Sequence, residues 1–153
     1  MRSRNQKSKP RLAKPPSKSS SGIPGINIQW PWSQLIISGK KTIETRAYPL
    51  PENKKNIPIA LIETPGPRGR QEGGIKNARI IGVITFTKCV KYSSLSGWRK
   101  DFTKHRVPSD DPDYRLSPGE VRYGWVTKVI KEFSKPKEAP QKKGIVWARG
   151  CPS

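Results

Sequence analysis

The apolar residues of this chain occur in short runs separated by proline and glycine. Pro and Gly together account for 29 of the 153 residues, and hydrophobic residues make up only 32%. No run approaches the roughly 18 consecutive apolar residues that a transmembrane helix needs, so we expect no membrane span and no membrane partner. A chain of this length has to build one domain from several short elements.

Five to six of the short runs have the composition of β-strands. The predicted strands lie at 26–30, 40–48, 57–63, 79–91, 122–133 and 144–148, and helices are predicted at 32–37 and 95–105. The Gly/Pro/Arg-rich segment 64–78 is predicted to be a loop. Gly82, inside the fourth run, is expected to mark a bulge or a close backbone approach. This order of elements predicts an α+β fold or a small β-barrel.

Positive charge is concentrated at the N-terminus but is not confined to it. Lys and Arg number 31 against 11 acidic residues, which gives a net charge of +20. Residues 1–25 hold seven of these basic residues, no acidic residue and few apolar ones, which predicts a disordered basic tail before one domain at 26–153. That domain keeps 24 basic and 11 acidic residues, or +13. A polyanion, with nucleic acid as the first candidate, is the expected partner.

The tail has four interpretations, namely a nucleic-acid-binding arm, a nuclear address, an organelle transit peptide and a solvated segment without a specific role. It contains no apolar segment of the kind found in secretory signals, so we expect an intracellular protein, cytoplasmic or nuclear, with organelle targeting left open. The chain has two cysteines, Cys89 and Cys151, which lie far apart, and this argues against a CxxC metal knuckle and against a disulfide framework. His105 is the single histidine, which argues against a His-based metal site. We expect no metal and no cofactor.

The segment WPWSQLIISGKKTIETR, from Trp30 to Arg46, joins a predicted helix to a predicted strand. Gly39 is suited to end the helix. Glu44 and Arg46 share one face of the strand, where a pair would hold the guanidinium planar for a phosphate or a base edge. Lys41 alternates to the opposite face, so joining them requires a bulge or a curled start. The Glu–Arg pair is either a bridge that only ties the fold together or part of a functional cleft.

This segment resembles the opening motif of the ASCH family, the activating-signal-cointegrator homology domains, which runs roughly P-W-x-x-L-(apolar)-x-G-x-K-x-(apolar)-E-x-R. Weaker matches follow at 82–84 and 123–126, so the resemblance covers about residues 26–149. It implies a PUA-like small β-barrel of five to six strands with two or more helices. The cleft of such a barrel accepts RNA, DNA or a modified nucleoside.

The same resemblance implies two possible activities. Some ASCH proteins are amidohydrolases acting on N4-acetylcytidine, and ribonuclease activity is also ascribed to the family. The amidohydrolases carry a Lys and, three residues later, a nucleophilic Thr; here Lys41 retains the Lys, but Glu44 stands at the Thr position. Lys41 and Glu44, with Glu44 as a general base toward water, are therefore the catalytic candidates only if the protein is an enzyme. The Glu form resembles the eukaryotic cointegrator type, which implies nucleic-acid binding.

Basic residues near aromatic rings supply the other candidates, because bases stack on exposed rings. The candidate nucleic-acid-binding residues are Lys40, Lys41, Arg46, Arg68, Arg70, Trp98, Arg99, Lys100, Arg122 and Tyr123. Trp32 and Trp147 are predicted to lie in the core instead. Arg68 and Arg70 belong to the predicted loop, which is either a flexible clamp on a phosphate backbone or merely solvated. His105 is predicted to be packed or bonded to Asp101 rather than part of a catalytic triad.

The sequence thus predicts a nucleic-acid-binding module, with RNA favoured over DNA, that uses a basic cleft and the basic tail. The alternative is a small hydrolase acting on a modified nucleoside or on RNA. A third interpretation is an interaction subunit of a larger ribonucleoprotein or transcription complex, which would use the same surface.

Overall fold

The computed structural model describes residues 22–140 and 146–153. Residues 1–21 of the predicted tail lie outside this range, and the last three residues assigned to the tail belong to the first strand. The elements are β1 (Ile23–Gln29), α1 (Trp32–Ile37), β2 (Ile43–Arg46), a 3-10 turn (Glu52–Lys54), β3 (Ile59–Thr64), α2 (Gly66–Gln71), β4 (Arg79–Tyr92), α3 (Leu95–Lys100), α4 (Phe102–His105), β5 (Arg122–Glu138) and β6 (Trp147–Cys151). Among these residues, no helix is long and apolar enough to cross a membrane.

All six strands form one mixed sheet in the order β2-β5-β4-β3-β1-β6. β1 and β3 are parallel, and the other neighbouring pairs are antiparallel. The sheet curls so far that the ring of Trp125 on β5 stacks on that of Trp147 on β6, with centroids 6.0 Å apart, although three strands separate them in the sheet. The predicted α+β fold with five to six strands and two or more helices is confirmed.

The curled sheet does not close into a barrel. Within the described ranges, its edge strands β2 and β6 share no backbone pairing. β2 is only four residues long, and Pro49 and Pro51 follow it. Proline has no N–H to donate to a ladder, so β2 cannot continue as a paired strand through these positions. A gap therefore remains between β2 and the end of β1, which extends beyond its paired register with β6.

The inner face of the curl holds the main core. Trp125, Phe86 and Ile84 are fully buried there, and α1 packs Ile36 and Ile37 against them. A smaller cluster, which consists of Ala60, Ile62, Ile80, Ala148 and Cys151, lies on the other face of β3. These alternating contacts follow from the two-residue period of a strand. The contacts of the main core hold α1 against the sheet beside the gap.

Two glycines occupy the backbone positions that the sequence predicts for them. Gly39 follows α1 with a φ of +82°, a conformation that glycine adopts without steric cost. Gly82 lies at a register shift of the β4–β5 pair. A Cβ there would lie 2.5 Å from both Ile37 Cδ1 and the carbonyl oxygen of Lys131. The close approach predicted at Gly82 is confirmed.

Apart from shifts of a few residues at strand ends, three predicted elements differ from the observed ones. The helix expected at 95–105 breaks at Asp101, whose carboxylate accepts a hydrogen bond of 2.6 Å from the hydroxyl of Tyr92. The predicted loop at 64–78 contains α2, in which proline occupies the first turn, where no N–H is needed. The last strand begins at Trp147, and the predicted residues 144–145 lie outside the described part of the chain.

Candidate functional site

A cleft of about 680 Å³ opens between β1 and β2, where the sheet does not close. Its two sides carry polar side chains, with Asn27 and Gln29 on β1 and Glu44 and Arg46 on β2. This volume lies within the range of small-molecule sites in proteins. The unclosed part of the sheet is therefore the candidate site.

Arg46 spans the gap between the two strands. Its Nε donates to Glu44 Oε2 at 2.9 Å, and its Nη2 donates to the backbone oxygen of Asn27 at 3.2 Å while lying 2.9 Å from Glu44 Oε2. The guanidinium carbon is 5.6 Å from the centre of the Trp125 ring. The Glu–Arg pair predicted from the two-residue spacing is confirmed, and it holds the guanidinium in one orientation at the cleft.

Lys41 joins this pair because it precedes β2 instead of belonging to it. The strand begins at Ile43, so strict alternation does not apply to Lys41, and its Nζ lies 3.7 Å from Glu44 Oε1. The ammonium also donates to the backbone oxygen of His105 and lies 5.2 Å from the centre of the Trp32 ring. Burial lowers the pKa of Lys41, while the Glu44 carboxylate acts in the opposite direction.

An aromatic wall and a fixed amide complete the cleft. The rings of Trp32 and Tyr114 meet edge to face with centroids 5.8 Å apart. The Tyr114 hydroxyl donates to Gln29 Oε1 at 3.0 Å, while a Cβ at Gly66 would overlap the Gln29 amide. Trp32, which was predicted to be a core residue, packs on the main core and also lines the cleft.

The structure brings only part of the predicted binding set together. Lys41, Arg46 and Arg122 line the cleft with Glu44, whereas Tyr123 is half-buried against the main core. The remaining basic candidates are exposed away from the cleft lining, and they are Lys40, Arg68, Arg70, Arg99 and Lys100. Arg68 pairs with Glu72 on α2. The two clusters of candidates at 68–70 and 98–100 therefore lie outside this cleft.

Trp98 does not present an exposed ring, which corrects its prediction as a stacking residue. It is 1% exposed, and its ring stacks on that of His105 with centroids 3.9 Å apart. His105 Nε2 bonds the backbone oxygen of Trp98 at 2.7 Å, and Nδ1 accepts from the N–H of Val107 at 3.0 Å. Burial lowers the pKa of His105. The packed histidine is confirmed, and Asp101 bonds Tyr92 instead.

Sequence reasoning missed Tyr114, Gln29 and Asn27 as lining residues. Gln29 and Tyr114 are 85 positions apart, so no local pattern connects them. The one available signal was that Tyr114 is the only aromatic residue in the polar segment 106–119. Within the described ranges, no group of three or more His, Cys, Asp or Glu residues is placed to hold a metal ion.

Comparison with known proteins identifies the family of this fold. A crystal structure of ASCH from Zymomonas mobilis aligns with a TM-score of 0.61 at 15% identity, covering 86% of this chain and 88% of that one. Two mutants of that protein, one with a serine replaced by alanine and one with a tyrosine replaced by phenylalanine, align with TM-scores of 0.57 and 0.61, also at 15% identity, covering 85% and 83% of this chain and 89% and 88% of theirs. No curated protein sequence matches significantly. The model of the ASCH domain matches residues 26–137, and this chain therefore belongs to the ASCH domain family.

Proposed function

We propose that the cleft binds one unpaired nucleotide of a nucleic acid, with RNA favoured over DNA. The observation that carries the proposal is the Arg46 guanidinium, which Glu44 and the backbone of Asn27 hold in place in a cleft with an aromatic wall. A guanidinium fixed in this way matches a phosphate or the edge of a base. RNA is favoured because its loops, bulges and ends offer unpaired bases to proteins.

The size and charge of the site support the same class of ligand. A cleft of about 680 Å³ admits a single nucleotide rather than a duplex. Three cations, Lys41, Arg46 and Arg122, line it together with Glu44 and Asp113. The domain around it carries +13, which raises the local concentration of a polyanion.

The direct test is Arg46→Ala, compared with Arg70→Ala as a control of equal charge on exposed α2. We expect Arg46→Ala to weaken binding of a labelled single-stranded RNA by about 1–3 kcal/mol in fluorescence anisotropy. Arg70→Ala should cause a much smaller loss, because its side chain is outside the cleft. Equal losses in the two folded variants would show diffuse attraction instead of a cleft site.

A salt titration separates the tail from the cleft. Deleting residues 1–21 removes seven positive charges and leaves β1 intact. The logarithm of affinity should then fall less steeply with the logarithm of salt concentration, because fewer counterions are released. Binding by the truncated chain at low salt is the expected result. A complete loss of binding would assign the nucleic-acid contact to the tail alone.

A hydrolase is the second candidate, because the Lys41 amine has a lowered pKa and lies 3.7 Å from Glu44 in an accessible cleft. A side chain with a perturbed pKa next to a charged partner in a cleft is typical of catalytic sites. In such an enzyme Glu44 activates water, and Lys41 stabilises the negative charge that develops. Turnover of N4-acetylcytidine or RNA that Glu44→Gln abolishes while binding persists would establish it. For a binding module, Glu44→Gln should leave affinity unchanged or raise it slightly, because a carboxylate repels phosphate.

A further inference from the structure

A second cavity, of about 490 Å³, adjoins the cleft. It is lined by residues of α3 and α4 and by the segment that follows them, and we call it the α3–α4 cavity. Val107 lines both the cleft and the α3–α4 cavity. The two spaces are therefore neighbours, separated by the start of the segment that also carries Tyr114.

The α3–α4 cavity has an open aromatic ring, and one of its lining residues carries a buried hydrogen-bond donor without a partner. Phe102, one of its lining residues, is 42% exposed. Trp98 lines it as well, and the indole N–H of this buried residue has no hydrogen-bond acceptor among the described residues. Buried N–H groups are nearly always paired in native proteins. The nitrogen is covered in the free chain, so an acceptor atom on a bound ligand would satisfy it once the lining side chains shift to admit the ligand.

The rim of the α3–α4 cavity is positive and available. Arg99 lines it and Lys100 follows on the same helix, and neither has a carboxylate partner in the described part of the chain. The cleft is different, since Lys41 and Arg46 both lie against Glu44. A lone acid, Asp110, lines the cavity. The unpaired Arg99 is therefore free to bind an anionic group.

We infer that the α3–α4 cavity is a second subsite, which binds the nucleotide next to the one in the cleft on the same single strand. The base packs on Phe102, a ring nitrogen or carbonyl oxygen of the base accepts the Trp98 N–H, and Arg99 contacts the phosphate. This inference rests on the proposed function. It also gives the basic cluster at 98–100 a role in which Trp98 donates a hydrogen bond instead of stacking.

The strand could instead leave the cleft on its other side. There Ala47 lines the cleft, and the adjacent Tyr48 is 39% exposed with its ring edge-on to Trp125. That surface lacks an unpartnered buried donor among the described residues, because the Trp125 indole N–H already donates to the Tyr48 backbone oxygen. Tyr48→Ala is accordingly the matched control for Phe102→Ala.

The experiment measures the affinity of the full chain for uridylate and adenylate probes of one, two and three nucleotides. We expect two nucleotides to bind about tenfold more tightly than one. Phe102→Ala should remove most of that gain and leave mononucleotide affinity unchanged, whereas Tyr48→Ala should retain the gain. Arg99→Gln, an exposed change, should also reduce the gain and provides the test if Phe102→Ala does not fold. In NMR spectra, the indole N–H of Trp98, assigned through Trp98→Phe, should shift with two nucleotides but not with one.

The outcomes distinguish the two proposals. If the wild-type chain binds no probe of any length, the proposed function fails and this inference fails with it. If one nucleotide binds and a second adds nothing, only the second subsite is overturned. A gain that Tyr48→Ala removes and Phe102→Ala keeps would overturn it as well, because the strand would then leave on the Tyr48 side.

Discussion

Glu63 and Glu44 are both buried carboxylates, but only one of them faces the cleft. Glu63 on β3 is fully buried and accepts hydrogen bonds from Ser33 Oγ and Gln34 Nε2, each at 2.7 Å, and from Arg79 Nε at 2.9 Å. These contacts tie α1, β3 and the start of β4 together. Glu63 does not line the cleft. Its bonds to side chains of α1 and β4 connect three elements, β3 included, and give it a structural role.

Glu44 is almost as deeply buried, at 7% exposure, but it lines the open cleft. Its partners are Arg46 and Lys41. Lys41 can lose its proton when it is buried, whereas arginine, which holds Glu63, cannot. The comparison shows that two carboxylates of similar burial can have different roles. One holds structural elements together, and the other belongs to a site whose charge state can change.

The largest expected effect is on Glu63→Ala. We expect this change to lower the free energy of unfolding by roughly 3–5 kcal/mol, because the buried Ser33 hydroxyl and the Gln34 amide lose their acceptor and Arg79 loses its counter-charge. Urea denaturation of the full chain provides the measurement. Glu132→Ala, at an exposed position of β5, is the control and should change stability by no more than about 0.5 kcal/mol. Equal effects of the two changes on the free energy of unfolding would refute the structural role of Glu63.

The role of Glu63 was not predictable from the sequence. It lies in the apolar run at 57–63, and its partners are 16 to 30 positions away along the chain. In contrast, α1 and its end at Gly39 depend on local rules, which is why the sequence predicted them. The open edge was not predicted, because barrel closure depends on strand lengths and on contacts between distant segments.

The same distinction applies to the candidate site. Lys41, Glu44 and Arg46 lie within six residues of one another, so their spacing indicated the pair. The partnership of Gln29 with Tyr114 depends on how a distant polar segment folds across the cleft. The basic neighbours of Trp98 indicated an exposed ring. A helix, however, directs adjacent side chains to different faces, and Trp98 points into the core while Arg99 stays exposed.

The second prediction sharpens the comparison at Glu44. Glu44→Gln should cost about 1–2 kcal/mol of unfolding free energy at pH 7, since the buried Lys41 ammonium loses its counter-charge. Glu44 raises the pKa of Lys41, so the pKa should be lower still in the variant. As the pH rises above that lowered pKa, the amine becomes neutral and no longer needs an anionic partner. The cost of Glu44→Gln should therefore shrink toward pH 9.5.

The pH series has an internal control in Glu63→Ala. Its arginine partner keeps its charge over the same range, so its cost relative to wild type should stay constant. Denaturation of the three proteins in parallel at pH 7, 8.5 and 9.5 provides the measurement. A cost of Glu44→Gln that stays flat with pH would show that Lys41 keeps its proton throughout this range.

The smallest effect concerns His105, which extends the contrast to acidic pH. The backbone oxygen of His105 accepts a hydrogen bond from the Lys41 ammonium, which also lies against Glu44. None of the side chains that bond Glu63 titrates near neutrality. Burial, and more weakly the nearby Lys41 charge, lower the pKa of His105 in the folded state. Below the ordinary histidine pKa of about 6.5, the unfolded chain therefore binds more protons than the folded chain. The stabilising contribution of the neutral His105 is complete above that pH, and the free energy of unfolding falls as the pH drops below it. The slope cannot exceed about 1.4 kcal/mol per pH unit, the linkage limit for one proton.

Urea denaturation at half-unit steps from pH 7.5 to 5.5 measures this slope, and the range stays above the pH at which exposed carboxylates titrate. His105 is the only histidine of the chain, so no other side chain has an ordinary pKa in this interval. His105→Gln should lower stability at pH 7.5, because the ring that stacks on Trp98 is lost, and its stability should then stay level down to pH 5.5. A wild-type stability that is equally level would mean that His105 binds its proton as readily in the folded chain as in the unfolded one, and the contrast between the two sides of the molecule would then be confined to Lys41.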